Sequence, residues 1–172
     1  HWGFADQLFR STYVVAKRKV KPTDQIIQGS RFKLRSVPEQ EWFGTQETLR
    51  RDTAVTFSDP HRTVIDVMDV PESAGGALHA AEIVRAYFDS EHADEQQLLS
   101  HGERLGRGSL FKRLGYLAER DGLGSAAFIE ACHQRVSKGV SLLDPTLSDE
   151  GRIVSRWRLK VNVPRFLRPT RP

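Results

Sequence analysis

The chain has 172 residues, 38% of them hydrophobic, with a formal net charge of +4 and a single cysteine. A chain of this length can bury a substantial core, and no apolar run approaches the roughly 18–20 residues of a membrane span. We therefore expect no membrane partner. One cysteine excludes an intramolecular disulfide and a zinc finger, and the lack of a disulfide fits a reducing cytoplasm.

The charged residues are distributed unevenly along the chain. Residues 1–35 carry eight cations and two anions, residues 36–100 carry four and thirteen, and residues 151–172 carry seven cations and no anion. Such an asymmetry favours a polyanion or an acidic protein as the partner of the two basic ends. The alternative is that the basic ends pack near the acidic middle.

The first half of the chain has the pattern of β-strands. Residues 12–16 form a β-rich run that ends in a basic cluster, and residues 31–37 form a second run after a turn. In the second run, Phe32 and Leu34 alternate with three cations. This alternation predicts a sheet with one solvent-exposed, basic face. The candidate nucleic-acid or partner-binding cations of this half are Lys17, Arg18, Lys19, Arg31, Lys33 and Arg35.

The second half has the apolar periodicity of helices and ends in a strand pattern. Helices are predicted over residues 60–70, 76–90, 94–104, 108–121 and 125–137. From residue 152 to 163, apolar residues alternate with polar and cationic ones, and Arg156, Arg158 and Lys160 share one face as further candidate binding residues. This order predicts an α+β fold with N-terminal antiparallel strands, a helical second half and a closing amphipathic strand. We expect one domain over residues 1–163 and a basic, Pro/Arg-rich tail over residues 164–172.

Residues 58–66 mark the boundary between a strand and a helix. Asp59 is suited to cap the first turn, and Pro60 suits the first helical position. Arg62 is unusual there, because it faces the positive end of the helix dipole and precedes Asp66 by four residues, the less favourable order for a helical ion pair. Two interpretations stay open: a salt bridge to another segment of the fold, and a binding site for a partner or an anion.

The chain lacks the common signatures of enzymes. It contains no Gly-Lys of a P-loop, no His-Glu-x-x-His, no Glu-x-Lys and no Gly-Ser followed by Asp-x-Asp. No set of nucleophile, base and orienting group can be named. We therefore expect no enzymatic activity, no catalytic residue, no cofactor and no metal. A transferase that uses Asp66 and Asp69 with a metal is the competing hypothesis.

Three positions have local explanations that need no ligand. Gly115 in a helix interior predicts a close approach of another segment to the backbone. For Glu119 we expect an ion pair with Arg113, Arg120 or a distant cation. For Asn162 we expect a hydrogen bond from the end of a strand to a neighbouring turn.

Four stretches of the chain match one family pattern in order and rough spacing. They are residues 58–66 (Ser-Asp-Pro-His-Arg-Thr-Val-Ile-Asp), 74–76 (Ala-Gly-Gly), 113–119 (Arg-Leu-Gly-Tyr-Leu-Ala-Glu), and 142–145 (Leu-Leu-Asp-Pro) followed by 156–162 (Arg-Trp-Arg-Leu-Lys-Val-Asn). Together they resemble the AbiEi-type antitoxins of bacterial abortive-infection toxin–antitoxin systems. The positions that carry the resemblance include Asp59, Pro60, Arg62, Thr63, Asp66, Gly115, Tyr116, Glu119, Trp157 and Asn162.

The resemblance implies the antitoxin domain of a type IV (AbiE-like) system, which neutralises a nucleotidyltransferase-type toxin and contributes to autoregulation of its operon. It also implies an upstream winged-helix domain that binds DNA and is missing from this chain. The expected partners are the cognate toxin, DNA through that missing domain, and RNA or DNA through the basic faces. The alternative function is a nucleic-acid-binding transcriptional-regulator module without direct antitoxin action.

Overall fold

The structure of the chain is a computed structural model that describes residues 2–5 and 11–167. The described residues separate into two compact units, one made of residues 11–59 and the other of residues 2–5 and 60–167. The sequence predicts one domain over residues 1–163, whereas the strands of the first half pair among themselves and form a unit of their own. The predicted basic tail is described only as far as residue 167.

The N-terminal unit consists of a three-stranded sheet and a hairpin. The sheet contains β1 (Thr12–Ala16), β2 (Asp24–Ile27) and β3 (Ser30–Ser36) in the order β1–β3–β2, and the hairpin contains β4 (Thr45–Arg50) and β5 (Thr53–Ser58). Two of the three pairings are antiparallel, as predicted. The pairing of β1 with β3 is parallel. Strand β2 lies on the other side of β3, and β3 runs in the same direction as β1.

The second unit is mainly helical. Its helices are α1 (Pro60–Asp69), α2 (Ala77–Phe88), α3 (Glu95–Leu105), α4 (Gly108–Asp121), α5 (Ala126–Gln134) and α6 (Pro164–Leu167). Asp94 and Ser125 cap α3 and α5 by accepting hydrogen bonds from backbone amides of the first turn. Helix α4 is the central helix, since every residue from Leu110 to Ala118 is buried. Within the described ranges, no helix has both the length and the apolar character needed to cross a membrane.

A small sheet closes the second unit. It contains β6 (Ser141–Leu142), β7 (Arg152–Val154) and β8 (Leu159–Val161) in the order β6–β8–β7, with β6 parallel and β7 antiparallel to β8. The closing strand is therefore present, and the α+β class is confirmed. The prediction of one continuous strand over residues 152–163 is wrong, because a 3₁₀ turn at Ser155–Trp157 and the left-handed Arg158 (φ 46°) fold β8 back against β7.

Candidate functional site

The charged residues of α1 form ion pairs. The Nε of Arg62 donates to Oδ1 of Asp66 at 2.8 Å, and the Arg62 side chain is 6% exposed. This ion pair joins two residues of the same helix, and the salt bridge to another segment stays a prediction. Asp69 pairs with Arg107 from the segment before α4. No group of three or more metal-ligating side chains occurs in the part of the chain that the structure describes.

The predicted helix start at Pro60 is confirmed, whereas capping of the first turn by the Asp59 side chain stays a prediction. Pro60 is the first residue of the helix and is buried, and Thr63 is half-buried one turn later. Asp59 directly precedes the helix, and its backbone amide donates to the carbonyl of Gly44 at 2.8 Å. The proline therefore occupies the position where its missing N–H has no cost to the helix.

Arg113 connects α4 to two other parts of the second unit. Its guanidinium donates to the carbonyls of Met68 at 2.8 Å and Asp69 at 3.2 Å, at the end of α1, and to the carbonyl of Leu142 at 3.0 Å. A cation at the C-terminal end of a helix is favourable for the helix dipole. Burial lowers the pKa of Arg113, while the carboxylates of Asp69 and Asp144 oppose that shift.

Trp157 packs across α4 at a position where only glycine fits. A Cβ at Gly115 would lie 2.1 Å from Cζ3 of the Trp157 indole, which is fully buried. The indole Nε1 donates to Oε2 of Glu119 at 2.6 Å. Arg156 then pairs with Glu119 at 3.0 Å and with Glu130 at 3.2 Å. The close approach predicted at Gly115 and the distant cation predicted for Glu119 are both confirmed.

Asn162 holds the turn that follows β6. Its side-chain amide accepts from the amide of Asp144 at 3.0 Å and donates to the carbonyls of Asp144 at 2.7 Å and Ser148 at 2.9 Å. The hydrogen bond predicted between Asn162 and a neighbouring turn is confirmed. Because the backbone groups of Asp144 are buried, these bonds satisfy polar atoms that would otherwise be costly.

The carboxylate of Asp144 caps the start of α2. It accepts from the amide of Ala77 at 2.8 Å and from the amide and hydroxyl of Thr146 at 2.9 and 2.6 Å. Burial alone would raise the pKa of Asp144, but these hydrogen bonds and the nearby Arg113 hold it below its usual value. Gly76 has a φ of 110°, and a Cβ there would lie 2.8 Å from the carboxylate, so this capping contact needs glycine.

These contacts join three of the stretches that carry the family resemblance, residues 74–76, 113–119 and 142–145 with 156–162, and they reach the end of α1 beyond residues 58–66. We call the residues involved the motif network, defined as Arg113, Gly115, Glu119, Asp144, Trp157 and Asn162. Its members connect α1, the start of α2, α4 and the small sheet. Tyr116 is also buried, and burial raises the pKa of its hydroxyl. The motif network therefore links α4 and the small sheet to the end of α1 and the start of α2.

Lys112 is a buried cation that the sequence did not reveal. The residue is 1% exposed, and its Nζ donates to the carbonyl of Gly139 at 2.8 Å and to Oγ of Ser141 at 3.1 Å. Burial and the nearby Arg158 and Arg113 lower its pKa. The apolar spacing of α4 predicts one buried face, and Lys112 does not lie on that face. Only the tertiary position of α4, which is covered on all sides, buries this lysine.

The basic face of the N-terminal sheet is present, but most of its cations have partners nearby. Arg31 is exposed, whereas Lys33 and Arg35 are half-buried, and Arg18 and Lys19 are exposed after β1. The contacts are Lys17–Glu39 at 3.7 Å, Arg31–Asp24 at 3.7 Å, Arg35–Glu41 at 4.0 Å, and Lys33 Nζ donating to Tyr13 Oη at 3.1 Å. These neighbours reduce the positive charge that this face offers to a polyanion.

The three cations predicted on one face of the closing strand do not form a row. Arg156 lies on the 3₁₀ turn and is bound by Glu119 and Glu130. Arg158 is exposed in a left-handed conformation, and Lys160 lies on β8, paired with Asp149. The regular spacing expected for contacts with successive phosphates is therefore absent.

Comparisons with known proteins returned no match: no family model, no curated protein and no solved structure corresponds to this chain.

Proposed function

We propose that this chain is the antitoxin domain of a type IV, AbiE-like toxin–antitoxin system. It acts in the bacterial cytoplasm, neutralises a nucleotidyltransferase-type toxin and contributes to the autoregulation of its operon. It works without catalysis, cofactor or metal. An upstream winged-helix domain supplies the operator-binding part of this function.

The motif network is the observation that carries this proposal. Three of the stretches that resemble the AbiEi-type antitoxins, residues 74–76, 113–119 and 142–145 with 156–162, are far apart in sequence, yet they contact one another. Arg113 reaches the end of α1, Trp157 packs on α4, and Asn162 binds the turn at Asp144. Their convergence supports the interpretation that together they specify one fold.

The way in which the charged motif residues are used favours binding over catalysis. Arg62 and Asp66 bind each other, Arg113 binds backbone carbonyls, and Glu119 binds an indole and an arginine. The polar atoms of each of these groups thus form hydrogen bonds or ion pairs within the folded unit. A scaffold of this kind supports a protein that acts through its surface.

Growth rescue tests the proposal. The chain and the cognate toxin are expressed from two foreign inducible promoters, so that repression of the natural operon cannot contribute. We expect the chain alone, without the upstream DNA-binding segment, to restore growth. The control is a toxin variant without transferase activity, which should not impair growth. A soluble, folded chain that leaves growth arrested would refute the antitoxin assignment.

A second candidate is a nucleic-acid-binding regulator module. The exposed cations Arg18, Lys19 and Arg31 of the N-terminal unit favour it. If these residues contact phosphates, binding to DNA or RNA should fall with salt, and each Gln substitution should reduce the logarithmic salt slope by about one. Binding without antitoxin activity would favour this candidate over the first.

A further inference from the structure

A small pocket lies in the helical unit between α2, the end of α4 and α6. Its volume is about 150 Å³. Each of the three helices contributes one arginine to its wall, and two carboxylates and an aromatic ring also line it: Arg85, Arg120, Arg165, Glu82, Asp121 and Phe166. Pockets that hold a drug-sized ligand usually measure about 300–1,000 Å³, so this one has room for a single small group. We call it the arginine pocket.

One buried carboxylate holds two of the three arginines in place. The Asp121 side chain is 5% exposed, and it accepts from Nε of Arg120 at 2.6 Å and from Nη2 of Arg120 at 2.7 Å. Nη2 of Arg85 lies 3.1 Å from Oδ2 of the same carboxylate. A bidentate pair of this kind fixes the plane of a guanidinium group. The two arginines are therefore positioned by the fold before any ligand arrives.

Arg120 keeps one donor atom that the fold does not use. Its Nη1 is buried, and no residue that the structure describes accepts a hydrogen bond from it. Buried donors are nearly always satisfied, so an exception calls for an explanation. An oxygen atom of a bound anion would be the acceptor that Nη1 lacks. The Phe166 ring covers the guanidinium, with Cζ 3.7 Å from the ring centroid, so we expect this ring to shift when an anion binds.

The charges that remain in the arginine pocket favour an anion. Arg165 is exposed, and its side chain forms no ion pair or hydrogen bond with a residue in the described ranges. Because Asp121 is shared by two arginines, the lining carries more positive than negative charge even with Glu82 included. Glu82 is the one lining group that opposes an anion without pairing to a described cation. It therefore offers a test with the opposite sign.

We propose that the arginine pocket binds a phosphate monoester group or inorganic phosphate. Guanidinium groups match the geometry of phosphate oxygens, and a terminal phosphate carries nearly two negative charges at neutral pH. The pocket volume equals that of about five water molecules at about 30 Å³ each, which suits one phosphate group. The group comes from free phosphate, a nucleotide or the 5′ end of an RNA. The site does not depend on the antitoxin proposal, so growth rescue and phosphate binding can fail separately.

Isothermal titration of the whole chain with inorganic phosphate, at ionic strength held constant with potassium chloride, tests this inference. We expect saturable binding at one site. Arg165→Gln should weaken binding by about tenfold or more, because a charge-assisted hydrogen bond is lost. Glu82→Gln should strengthen binding severalfold, because it removes a repulsive charge. The matched control is Arg158→Gln, an exposed arginine outside the pocket lining, which should bind like wild type. All three positions are exposed, so the variants should keep the wild-type melting temperature without phosphate.

Two matched pairs of probes identify the source of the phosphate. Adenosine 5′-monophosphate is compared with adenosine, and a 5′-phosphorylated RNA oligonucleotide is compared with its 5′-hydroxyl form. Tighter binding of the phosphorylated member than of inorganic phosphate assigns the site to a nucleotide or an RNA end, and weaker binding assigns it to free phosphate. The inference is overturned if none of the phosphates binds saturably, or if Arg165→Gln changes binding no more than Arg158→Gln does.

Discussion

The contact between Gly115 and Trp157 allows the motif network to be tested by adding one methyl group. The substitution Gly115→Ala adds a Cβ that would lie 2.1 Å from Cζ3, 2.3 Å from Cη2 and 2.9 Å from Cε3 of the indole. The ring is fully buried and is held by its hydrogen bond to Glu119. It must therefore move or the helix must shift, and either movement strains the hydrogen bond.

The expected cost is a balance of two opposing effects. Alanine in place of glycine in a helix interior is favourable by about 1 kcal/mol. Overpacking a core costs about 1–3 kcal/mol, and loss of a hydrogen bond to a charged acceptor costs about 1.5–3 kcal/mol. The steric effect should win, and we expect Gly115→Ala to lower the free energy of unfolding by about 2–4 kcal/mol.

Urea unfolding followed by far-ultraviolet circular dichroism measures this cost. A double-mutant cycle supplies the control: in a Trp157→Leu background the indole ring is gone, so the same Gly115→Ala change should be neutral or stabilising. If Gly115→Ala stabilises the wild-type protein, or costs the same in both backgrounds, the packing described here is incorrect.

Other parts of the second unit give further predictions. Asn162→Ala should lower the free energy of unfolding by about 3 kcal/mol, because it leaves buried backbone groups without partners; an unchanged urea midpoint would contradict this. Arg62→Ala should cost about 2–3 kcal/mol, less than a fully buried pair, since Asp66 is 30% exposed; an unchanged melting temperature with loss of neutralisation would instead make Arg62 an interface residue. The folded-state pKa of Asp144 lies below its unfolded value of about 4, so its contribution to stability is full above that pH and is lost as the pH falls through the folded pKa. The stability difference between wild type and Asp144→Asn should therefore shrink between neutral and acidic urea titrations, and a constant difference would argue against the capping role. Burial raises the pKa of Cys132 to about 12, so a thiol reagent at about pH 8 should label it only after unfolding, and rapid labelling of the folded protein would contradict its buried position.

The elements with strong local signals could be predicted from the sequence. The apolar spacing and the flanking Pro60, Gly108 and Gly122 place α1 and α4 within one residue of their observed bounds. Gly115 also carried a local signal, since a glycine inside a helix has a cost that a close contact explains. These features depend on residues that are near one another in the chain.

The errors arose where tertiary contacts override the local pattern. Residues 152–163 alternate like one strand, but the chain turns at Ser155–Trp157 to bury the indole against α4, and Arg158 adopts a left-handed conformation to allow this. Lys112 is buried because α4 is covered on all sides, which no spacing within the helix indicates. The small sheet likewise depends on the register of three strands that are separate in sequence.

Nucleotide transfer by the purified toxin tests the central claim most directly. The toxin is given labelled nucleoside triphosphates and total RNA from the host, with DNA in a parallel reaction, and the folded chain is added in increasing amounts. The antitoxin proposal predicts that transfer falls as the folded chain is added and stops when the chain is in excess. Transfer that continues at the full rate in the presence of excess folded chain would contradict the account.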